Sequence, residues 1–371
     1  MKTVIIIGGG IAGLIAAIRL VRCGVACTVI EKKKYPFHRV CGEYISNETK
    51  SFLLQEGLYP ETFRPAQITE FQLSSVNGKN TTLTLDVGGF GISRYAFDYF
   101  LYQKARQAGV EFLLETEVEN VEWKDNCFVI KTAKHELTCM LAVGTFGKRS
   151  SLDARLHRDF FKKRSPYVGV KYHIRIQHPP NLIALHNFVG GYCGISNVED
   201  GKTNLCYLTH RGNLKRFKSI REMEEHILFR NPYLKSIFIN AEFLFDKPEA
   251  INEISFETKE PVCNHILMAG DAAGMIAPLC GNGIAMAIHS AKILSEVIRK
   301  YLEQKSFARE LMEKEYTALW NKTFARRLWF GRQIQNKLFG SELSSSLAIN
   351  LAIYSKPFAR ALIKKTHGSV F

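Results

Sequence analysis

The fold is decided by residues 4–32, VIIIGGGIAGLIAAIRLVRCGVACTVIEK, near the start of the 371-residue chain. Residues 4–7 are a short β-branched run, which is typical of a parallel strand buried on both faces. Residues 8–13 fit the pattern Gly-x-Gly-x-x-Gly, and apolar residues at helical spacing follow them. A second apolar run, residues 26–30, ends in Glu31. This order of strand, glycine turn, helix, strand and acid predicts the βαβ unit that binds a dinucleotide.

Each glycine of this motif has a physical purpose. Gly8 permits the tight turn, Gly10 lets the backbone approach a pyrophosphate, and Gly13 lets the helix pack closely on the strand. The pyrophosphate is expected at the helix N-terminus, where unpaired amides favour negative charge. Glu31 is expected to accept hydrogen bonds from ribose hydroxyls. The cofactor-binding residues predicted in this stretch are Gly8, Gly10, Ile11, Ala12, Gly13, Glu31 and Lys32.

Composition and charge restrict the class of protein. Hydrophobic residues make up 46% and charged residues 23% of the chain, which is ordinary for a globular enzyme and too apolar for a disordered one. The formal net charge of +15 favours polyanionic partners: nucleic acid, anionic lipid or phosphorylated small molecules. The nine cysteines contain no Cys-x-x-Cys pair, so free thiols in the cytoplasm are expected. The eleven histidines show no metal-ligand spacing, and no metal site is predicted.

A second group of motifs lies downstream. Residues 266–273, ILMAGDAA, read as an apolar strand that ends in Gly-Asp, and residues 278–283, PLCGNG, lead into a helical run. Together with the first motif, these segments resemble the FAD-dependent flavoprotein superfamily of geranylgeranyl reductases, flavin-dependent halogenases and aromatic hydroxylases of the p-hydroxybenzoate hydroxylase type. The resemblance implies that FAD is the cofactor. It also implies that Asp271 binds the ribityl chain and that the amides around Gly281–Gly283 face the flavin pyrimidine.

The resemblance adds contacts from other parts of the chain. Residues 94–101, RYAFDYFL, resemble a family segment whose arginine approaches the flavin or its ribityl chain. Where aromatic hydroxylases read Gly-Ala-Asp-Gly, residues 144–147 read Gly-Thr-Phe-Gly. This departure argues against the usual mode of NAD(P)H binding in those hydroxylases. The residues that the resemblance adds to the FAD site are Arg39, Cys41, Arg94, Gly147, Gly270, Asp271, Pro278, Gly281, Asn282 and Gly283.

Two further segments concern the reaction. Residues 39–46, RVCGEYIS, resemble the Cys-Gly segment of geranylgeranyl reductases, which makes Cys41 a candidate catalytic residue that tunes the flavin or donates a proton. The alternative is that Cys41 only packs and Arg39 contacts phosphate. Residues 190–196, GGYCGIS, resemble the strand–turn–strand that roofs the site in relatives, so Tyr192 and Cys193 are predicted to line a substrate pocket. The halogenase signature Trp-x-Trp-x-Ile-Pro is absent, which disfavours halogenation.

The predicted fold class is α/β. It combines a Rossmann-type FAD-binding domain of the glutathione reductase-like kind, an inserted and mostly antiparallel substrate sheet, and a C-terminal helical region. The predicted FAD-binding domain comprises residues 1–62, 92–155 and 255–300, and the substrate domain comprises residues 63–91 and 156–254. Because the sequence contains one dinucleotide fingerprint, an NADPH or NADH electron donor is expected to bind only transiently.

Residues 301–371 are predicted to be helical and basic. After Tyr316, lysines and arginines alternate with apolar residues, which fits an amphipathic element on a membrane surface or a lid with a solvated basic face. No nucleic-acid-binding motif is present, so nucleic acid is not an expected partner.

Three functions are compatible with the sequence. The first is an FAD-dependent reductase or dehydrogenase that exchanges hydride with an apolar, lipid or isoprenoid-like substrate. The second is an NAD(P)H-dependent monooxygenase that hydroxylates an aromatic or polyketide substrate. The third is an electron-transfer flavoprotein at a membrane surface. The expected location is the cytoplasm, free or in contact with a membrane.

Overall fold

The structure, a computed structural model, describes residues 2–338, 350 and 354–371. Its strands are β1 (Lys2–Ile7), β2 (Cys27–Ile30), β3 (Tyr44–Ser46), β4 (Ala66–Ser74), β5 (Asn80–Gly91), β6 (Glu111–Leu113), β7 (Val118–Lys124), β8 (Cys127–Thr132), β9 (Glu136–Gly144), β10 (Tyr167–Arg175), β11 (Leu182–Phe188), β12 (Gly191–Asn197), β13 (Thr203–His210), β14 (Glu242–Phe243), β15 (Glu249–Asn252), β16 (Val262–Cys263) and β17 (Ile266–Met268). Its α-helices are α1 (Ile11–Arg22), α2 (Lys50–Gln55), α3 (Arg94–Gln107), α4 (Ser151–Arg155), α5 (Asp159–Lys162), α6 (Arg211–Leu214), α7 (Ile220–Ile227), α8 (Pro232–Asn240), α9 (Gly283–Leu302), α10 (Arg309–Leu338) and α11 (Lys356–Thr366).

The first sheet has eight strands and contains the predicted βαβ unit. Its order is β16-β17-β9-β1-β2-β6, and β8 joins β9 to β7. The pairings of β1 with β2 and β9, of β17 with β9 and of β2 with β6 are all parallel. Val4, Ile5 and Ile6 are completely buried, as expected of a central strand covered on both faces. The first motif therefore occupies the middle of this sheet.

Helix α1 follows β1 because the glycines allow it. Gly8 has a φ of +105°, and a Cβ on Gly13 would lie 2.2 Å from the carbonyl oxygen of Gly8, so no larger residue fits there. The helix ends in a Schellman motif around Gly24, with the Val25 amide donating to the carbonyl of Leu20 over 3.0 Å.

The second sheet has nine strands in the order β14-β10-β13-β12-β11-β4-β5-β3, with β15 also on β10. Its pairings are antiparallel except for β4 with β11. One face packs on α7 and α8, and the other faces the first sheet across a cavity. The predicted α/β class with a mostly antiparallel second sheet is confirmed. Strand β3 belongs to this sheet, although residues 1–62 were assigned by sequence to the FAD-binding domain.

Helices α9, α10 and α11 complete the described chain. Helix α9 packs on α1, and α10 packs on α9 through buried Tyr316, Trp320 and Phe324. No helix in residues 2–338, 350 and 354–371 is long and apolar enough to cross a membrane. The helical prediction for residues 339–349 and 351–353 falls outside the described residues.

A buried carboxyl lies behind the second sheet. Glu224 of α7 is 1% exposed, and its Oε1 accepts hydrogen bonds from the hydroxyls of Tyr172 at 2.9 Å and Tyr207 at 2.8 Å. Burial raises the pKa of Glu224 to about 7, and the two tyrosine hydroxyls offset only part of that effect. The folded protein therefore holds a proton here that the unfolded chain releases at lower pH.

This proton makes stability depend on pH. Because the folded-state pKa is raised, the folded state binds more protons than the unfolded state between about pH 4.5 and 7, and stability falls as pH rises through that window. Between roughly pH 5 and pH 8, the free energy of unfolding of Glu224→Gln should therefore rise by about 2 kcal/mol relative to that of wild type. Urea unfolding of the variant and of wild type at pH 5 and at pH 8 measures this difference. The exposed neighbour variant Glu225→Gln is the control, and an equal pH-dependent gain there would contradict the assignment.

Candidate active site

A cavity of about 820 Å³ lies between the two sheets. It is within the size range of small-molecule and cofactor sites. Its walls come from the glycine turn after β1, the loop 38–44, the turn after β9, the segment 269–284, the inner face of the second sheet, and helices α10 and α11. The cavity therefore brings together all three motif groups found in the sequence.

One end of the cavity is built by the first motif. Gly10 is the N-cap of α1 and lines the cavity, so the free amides of the first helical turn face it. The Glu31 carboxylate accepts hydrogen bonds from the amides of Gly9 at 2.8 Å and Lys33 at 3.0 Å. Arg39 approaches the same carboxylate at 3.3 Å. This end combines a helix N-terminus suited to phosphate with a fixed acid suited to ribose.

Arg94 lies at the next position along the cavity. Its guanidinium forms a two-point ion pair with Asp98, at 2.6 and 2.7 Å, and Asp98 also holds Arg39 at 3.2 Å. Burial alone would lower the pKa of Arg94, but the Asp98 carboxylate raises it above its ordinary value. Asp98 thus fixes two cations that line the cavity.

The segment 270–283 forms the far end of the cofactor region. Gly270, Asp271, Pro278 and Gly281–Gly283 all line the cavity, and α9 begins there with Asn282 as its N-cap. Asn282 is 1% exposed, and its Oδ1 atom has no hydrogen-bond partner among the described residues. A helix N-terminus and an unpaired acceptor at one place favour a ligand that accumulates negative charge and can donate a hydrogen bond.

A buried lysine joins the two turns that flank this region. The Lys259 ammonium donates to the carbonyl oxygens of Lys148 and Asp271, both at 2.7 Å. The Lys148 side chain lies within the cavity wall, where burial lowers its pKa and the nearby Asp271 and Cys41 oppose that shift. Sequence reasoning missed both lysines. Lys148 could have been predicted from the sequence, because it directly follows the predicted contact Gly147.

The loop that contains Cys41 is fixed by a buried ion cluster. Glu43 has no exposed surface and a φ of 56°, and its carboxylate accepts hydrogen bonds from Lys171, from His173 at 2.7 Å and from the Arg94 amide at 2.7 Å. Burial alone would raise the pKa of Glu43, but Lys171 and His173 lower it to about 2. The carboxylate is therefore ionised, and it connects β10 of the second sheet to α3.

Hydrogen bonds to three backbone carbonyls hold the same loop. Lys171 donates to the carbonyl of Arg39 at 3.2 Å, Asn204 to that of Cys41 at 3.2 Å, and Ile92 to that of Glu43 at 3.1 Å. The Cys41 thiol accepts from the Glu43 amide at 3.5 Å and lines the cavity. The position of Cys41 is thus set by β10 and β13 of the second sheet and by the residue that follows β5.

Sequence reasoning also missed Glu43, Lys171 and His173. A signal for the last two exists in the strand itself. Lys171 and His173 stand two residues apart in the otherwise largely apolar β10, so they point to the same face. The partner carboxylate lies far away in the sequence and carries no local signal of its own.

A second buried carboxylate ties the end of the chain to the cavity. Glu48 accepts hydrogen bonds from Arg327 at 3.0 Å, from Asn282 at 3.2 Å and from the Gly368 amide at 2.6 Å. Asn282 also donates to the carbonyl of Thr366 at 3.1 Å. Residues 363, 366 and 367 therefore stand as a wall of the cavity.

Most of the predicted site residues line the cavity. Those that do are Gly8, Gly10, Ile11, Ala12, Glu31, Lys32, Arg39, Cys41, Arg94, Gly147, Gly270, Asp271, Pro278, Gly281, Asn282, Gly283 and Tyr192. Gly13 does not, because it packs against Gly8 behind the turn. Cys193 does not line it either. It alternates with Tyr192 along β12 and is buried on the opposite face with α7 and α8, so its prediction as a pocket residue is corrected.

The residues present fit FAD. A Cβ on Gly42 or Gly147 would meet no atom within 4 Å, so the backbone at both positions leaves open space in the cavity wall. The helix N-terminus at Gly10, the acid Glu31 and the second helix N-terminus at Asn282 match a pyrophosphate, a ribose and an electron-accepting ring, respectively. The site can therefore hold an extended dinucleotide along its length.

Comparison with known proteins agrees with this geometry. Residues 1–184 match the FAD binding domain family. The digeranylgeranylglycerophospholipid reductase of Methanosarcina acetivorans is 22% identical over 338 residues, which cover 86% of this chain and 80% of that protein. These matches identify the chain as an FAD-dependent oxidoreductase.

Solved structures share the fold. A geranylgeranyl bacteriochlorophyll reductase-like protein from Thermoplasma acidophilum has a TM-score of 0.78 at 17% identity, covering 98% of this chain and 95% of that one. CmlS, a flavin-dependent halogenase, has a TM-score of 0.76 at 19% identity, covering 91% of this chain but only 64% of CmlS. The same architecture thus serves reductases and halogenases, and it does not by itself select the reaction.

The ion cluster at Glu43 should control the flavin site. Glu43→Gln leaves the Lys171 ammonium buried without its counter-charge, which costs about 3–5 kcal/mol in comparable cases. We expect the loop to shift, the dissociation constant for FAD to rise at least about tenfold, and the flavin absorption band to move. Fluorescence titration with FAD and absorption spectra of the loaded protein measure this.

Two variants separate this effect from a general loss of stability. Glu224→Gln neutralises another buried carboxyl on the opposite face of the same sheet and should leave the flavin spectrum unchanged. Glu43→Gln/Lys171→Met removes both charges and should recover part of the FAD affinity. If Glu224→Gln perturbs the spectrum equally, Glu43 has no specific influence on the site.

Proposed function

We propose that this chain, a member of the FAD-dependent oxidoreductase superfamily that includes geranylgeranyl reductases and aromatic hydroxylases, is a reductase acting on a long apolar alkenyl substrate. The similar Methanosarcina acetivorans protein is a digeranylgeranylglycerophospholipid reductase. The substrate class we assign is therefore a lipid or isoprenoid chain with a reducible double bond.

The observation that carries this proposal is the apolar half of the cavity. Its walls are mostly aliphatic and aromatic side chains from the second sheet, the segment 275–279 and the C-terminal helices, which also contribute Gln333, Thr366 and His367. The residues that form these walls are Phe71, Leu73, Leu83, Leu85, Ile183, Leu185, Tyr192, Leu208, Ile251, Ile254, Met275, Ile276, Leu279, Phe330, Ile334 and Ile363. A hydrocarbon chain is stabilised there by about 0.8 kcal/mol per buried methylene, whereas a polar aromatic acid finds few partners.

FAD, when bound, supplies the hydride chemistry of the reaction. The chain's own residues orient the reactants. The amides at the start of α9 would stabilise negative charge on a bound flavin, and Lys148 and Arg94 in the cavity wall would add positive potential. The apolar walls exclude water from the double bond. Cys41 is the thiol available to deliver a proton to the substrate carbon adjacent to the one that receives hydride.

We expect the flavin to be reduced by NADPH or NADH that binds transiently, because the sequence has a single dinucleotide fingerprint. All nine cysteines are unpaired, which supports a reducing, cytoplasmic location. The second candidate function is hydroxylation by a monooxygenase, with which the shared fold is equally compatible. The third, electron transfer without a small substrate, leaves the apolar half of the cavity without a purpose.

Anaerobic stopped-flow mixing tests the reaction. Holoenzyme reduced by one equivalent of dithionite should regain oxidised-flavin absorbance when mixed with a short, soluble polyprenyl alcohol or ester, and mass spectrometry should find a product heavier by two hydrogens. A saturated analogue is the control. Reoxidation that requires oxygen and adds an oxygen atom to an aromatic compound would replace the reductase by the monooxygenase.

Cys41 is tested by the same measurement. If its thiol donates the proton, Cys41→Ala should lower the reoxidation rate by about 10²-fold or more, the usual contribution of a positioned acid, while FAD affinity stays near wild type. Deuterium at the second carbon after reaction in D₂O locates the proton. Cys206→Ala, which alters another thiol in the cavity wall, is the matched control. Unchanged turnover in Cys41→Ala leaves the thiol with a packing role.

A further inference from the structure

Helix α10 presents an unusual outer face. Lys322, Arg326 and Trp329 are all exposed and stand four and three residues apart, so they share one side of the helix. Trp329 is 55% exposed, which is rare for the largest apolar side chain. Tyr354, close before α11 in the chain, is 88% exposed. Two large aromatic side chains therefore face outward in the C-terminal region.

The charge of this region is almost entirely positive, with Glu342 as the one acidic residue after Tyr316. Residues 316–338, 350 and 354–371 contain no aspartate or glutamate. The basic residues in the same ranges are Lys322, Arg326, Arg327, Arg332, Lys337, Lys356, Arg360, Lys364 and Lys365. On α11, Arg360, Lys364 and Lys365 are exposed. Exposed tryptophan and tyrosine among lysine and arginine is the composition of surfaces that lie at a lipid headgroup layer.

The same two helices form the wall of the apolar half of the cavity. On α10, Phe330, Gln333 and Ile334 line the cavity, and Gln333 continues the stripe of exposed Arg326 and Trp329, seven and four residues after them. On α11, Ile363 faces the cavity next to exposed Lys364. The helices meet where the Lys365 ammonium lies 5.5 Å from the centre of the Phe330 ring. The basic aromatic surface of α10 and α11 therefore adjoins the cavity wall.

We propose that the outer face of α10 and α11, defined by Lys322, Arg326, Trp329, Arg360 and Lys364, docks on an anionic lipid bilayer. The positive charge complements anionic headgroups, and the aromatic side chains reach the boundary between headgroups and hydrocarbon. Docking in this orientation sets the apolar half of the cavity against the bilayer. An apolar substrate then passes between membrane and cavity without crossing water. This inference rests on the proposed function for its purpose but not for its test.

Vesicle binding of the oxidised holoenzyme tests the docking directly. Sedimentation should show binding to vesicles of phosphatidylcholine with phosphatidylglycerol, and little binding to phosphatidylcholine alone. Each basic residue near an anionic surface contributes about fivefold to the affinity, so Lys322→Ala/Arg326→Ala should weaken binding by about 25-fold. The matched control is Arg230→Ala/Lys235→Ala, an exposed pair at and beside α8 on the far side of the second sheet. It should bind as wild type does.

Tryptophan fluorescence reports which face makes contact. The chain has three tryptophans, of which Trp320 is 3% and Trp329 is 55% exposed. Anionic vesicles should shift the emission to shorter wavelength, and brominated acyl chains should quench it. Trp329→Phe should abolish both changes and still sediment with the vesicles. Changes that persist in Trp329→Phe would place the contact elsewhere.

The outcomes divide clearly. Equal weakening by both double variants, or equal affinity for neutral and anionic vesicles, overturns the proposed surface. Binding to duplex DNA or RNA in place of vesicles, lost in Lys322→Ala/Arg326→Ala, assigns the surface to nucleic acid. Reoxidation by the short, soluble substrate should be unchanged in that variant. If wild type does not bind vesicles but is still reoxidised by the soluble substrate, the proposed membrane docking is wrong and the proposed reductase function is unaffected.

Discussion

The arrangement of the active site depends on one buried carboxylate, that of Glu43. It joins the second sheet to helix α3, since β10 supplies Lys171 and His173 and α3 supplies the Arg94 amide. A charge with no exposed surface is stable only when it is paired and hydrogen-bonded, and Glu43 is both. The requirement to satisfy it fixes how the second sheet sits over the dinucleotide-binding sheet, and therefore the depth of the cavity between them.

The dinucleotide half of the molecule could be predicted because its signals are local. The β1–α1–β2 unit is encoded by turn glycines, an apolar helix face and a terminal acid within one short stretch, and its physics involves neighbours in sequence. Helix α3 begins at Arg94, the first residue of the segment singled out in the sequence, and runs to Gln107. The glycine pattern also separated two tasks correctly, because Gly10 lines the cavity whereas Gly13 permits close packing.

The substrate half was less accessible because it depends on strand parity and on distant partners. Tyr192 and Cys193 were both placed in the pocket, but successive residues of a strand point to opposite faces, so only one of them can line it. Lys171 and His173 acquire meaning only when a carboxylate 128 and 130 residues earlier is brought beside them. The inward face of β12 is decided by the packing of α7 and α8 behind the sheet, which no local pattern records.

The pairing of Asn282 with the end of the chain couples two parts of the molecule. Asn282 caps α9 in the cofactor region, and its side-chain amide also holds Glu48 and the carbonyl of Thr366. A ligand that favours this position of Asn282 favours the docked segment as well, and the coupling free energy is the same in both directions. Backbone amides near residue 368 should therefore exchange with deuterium more slowly when the cofactor site is filled. The end of the chain is in this sense a remote reporter of cofactor occupancy.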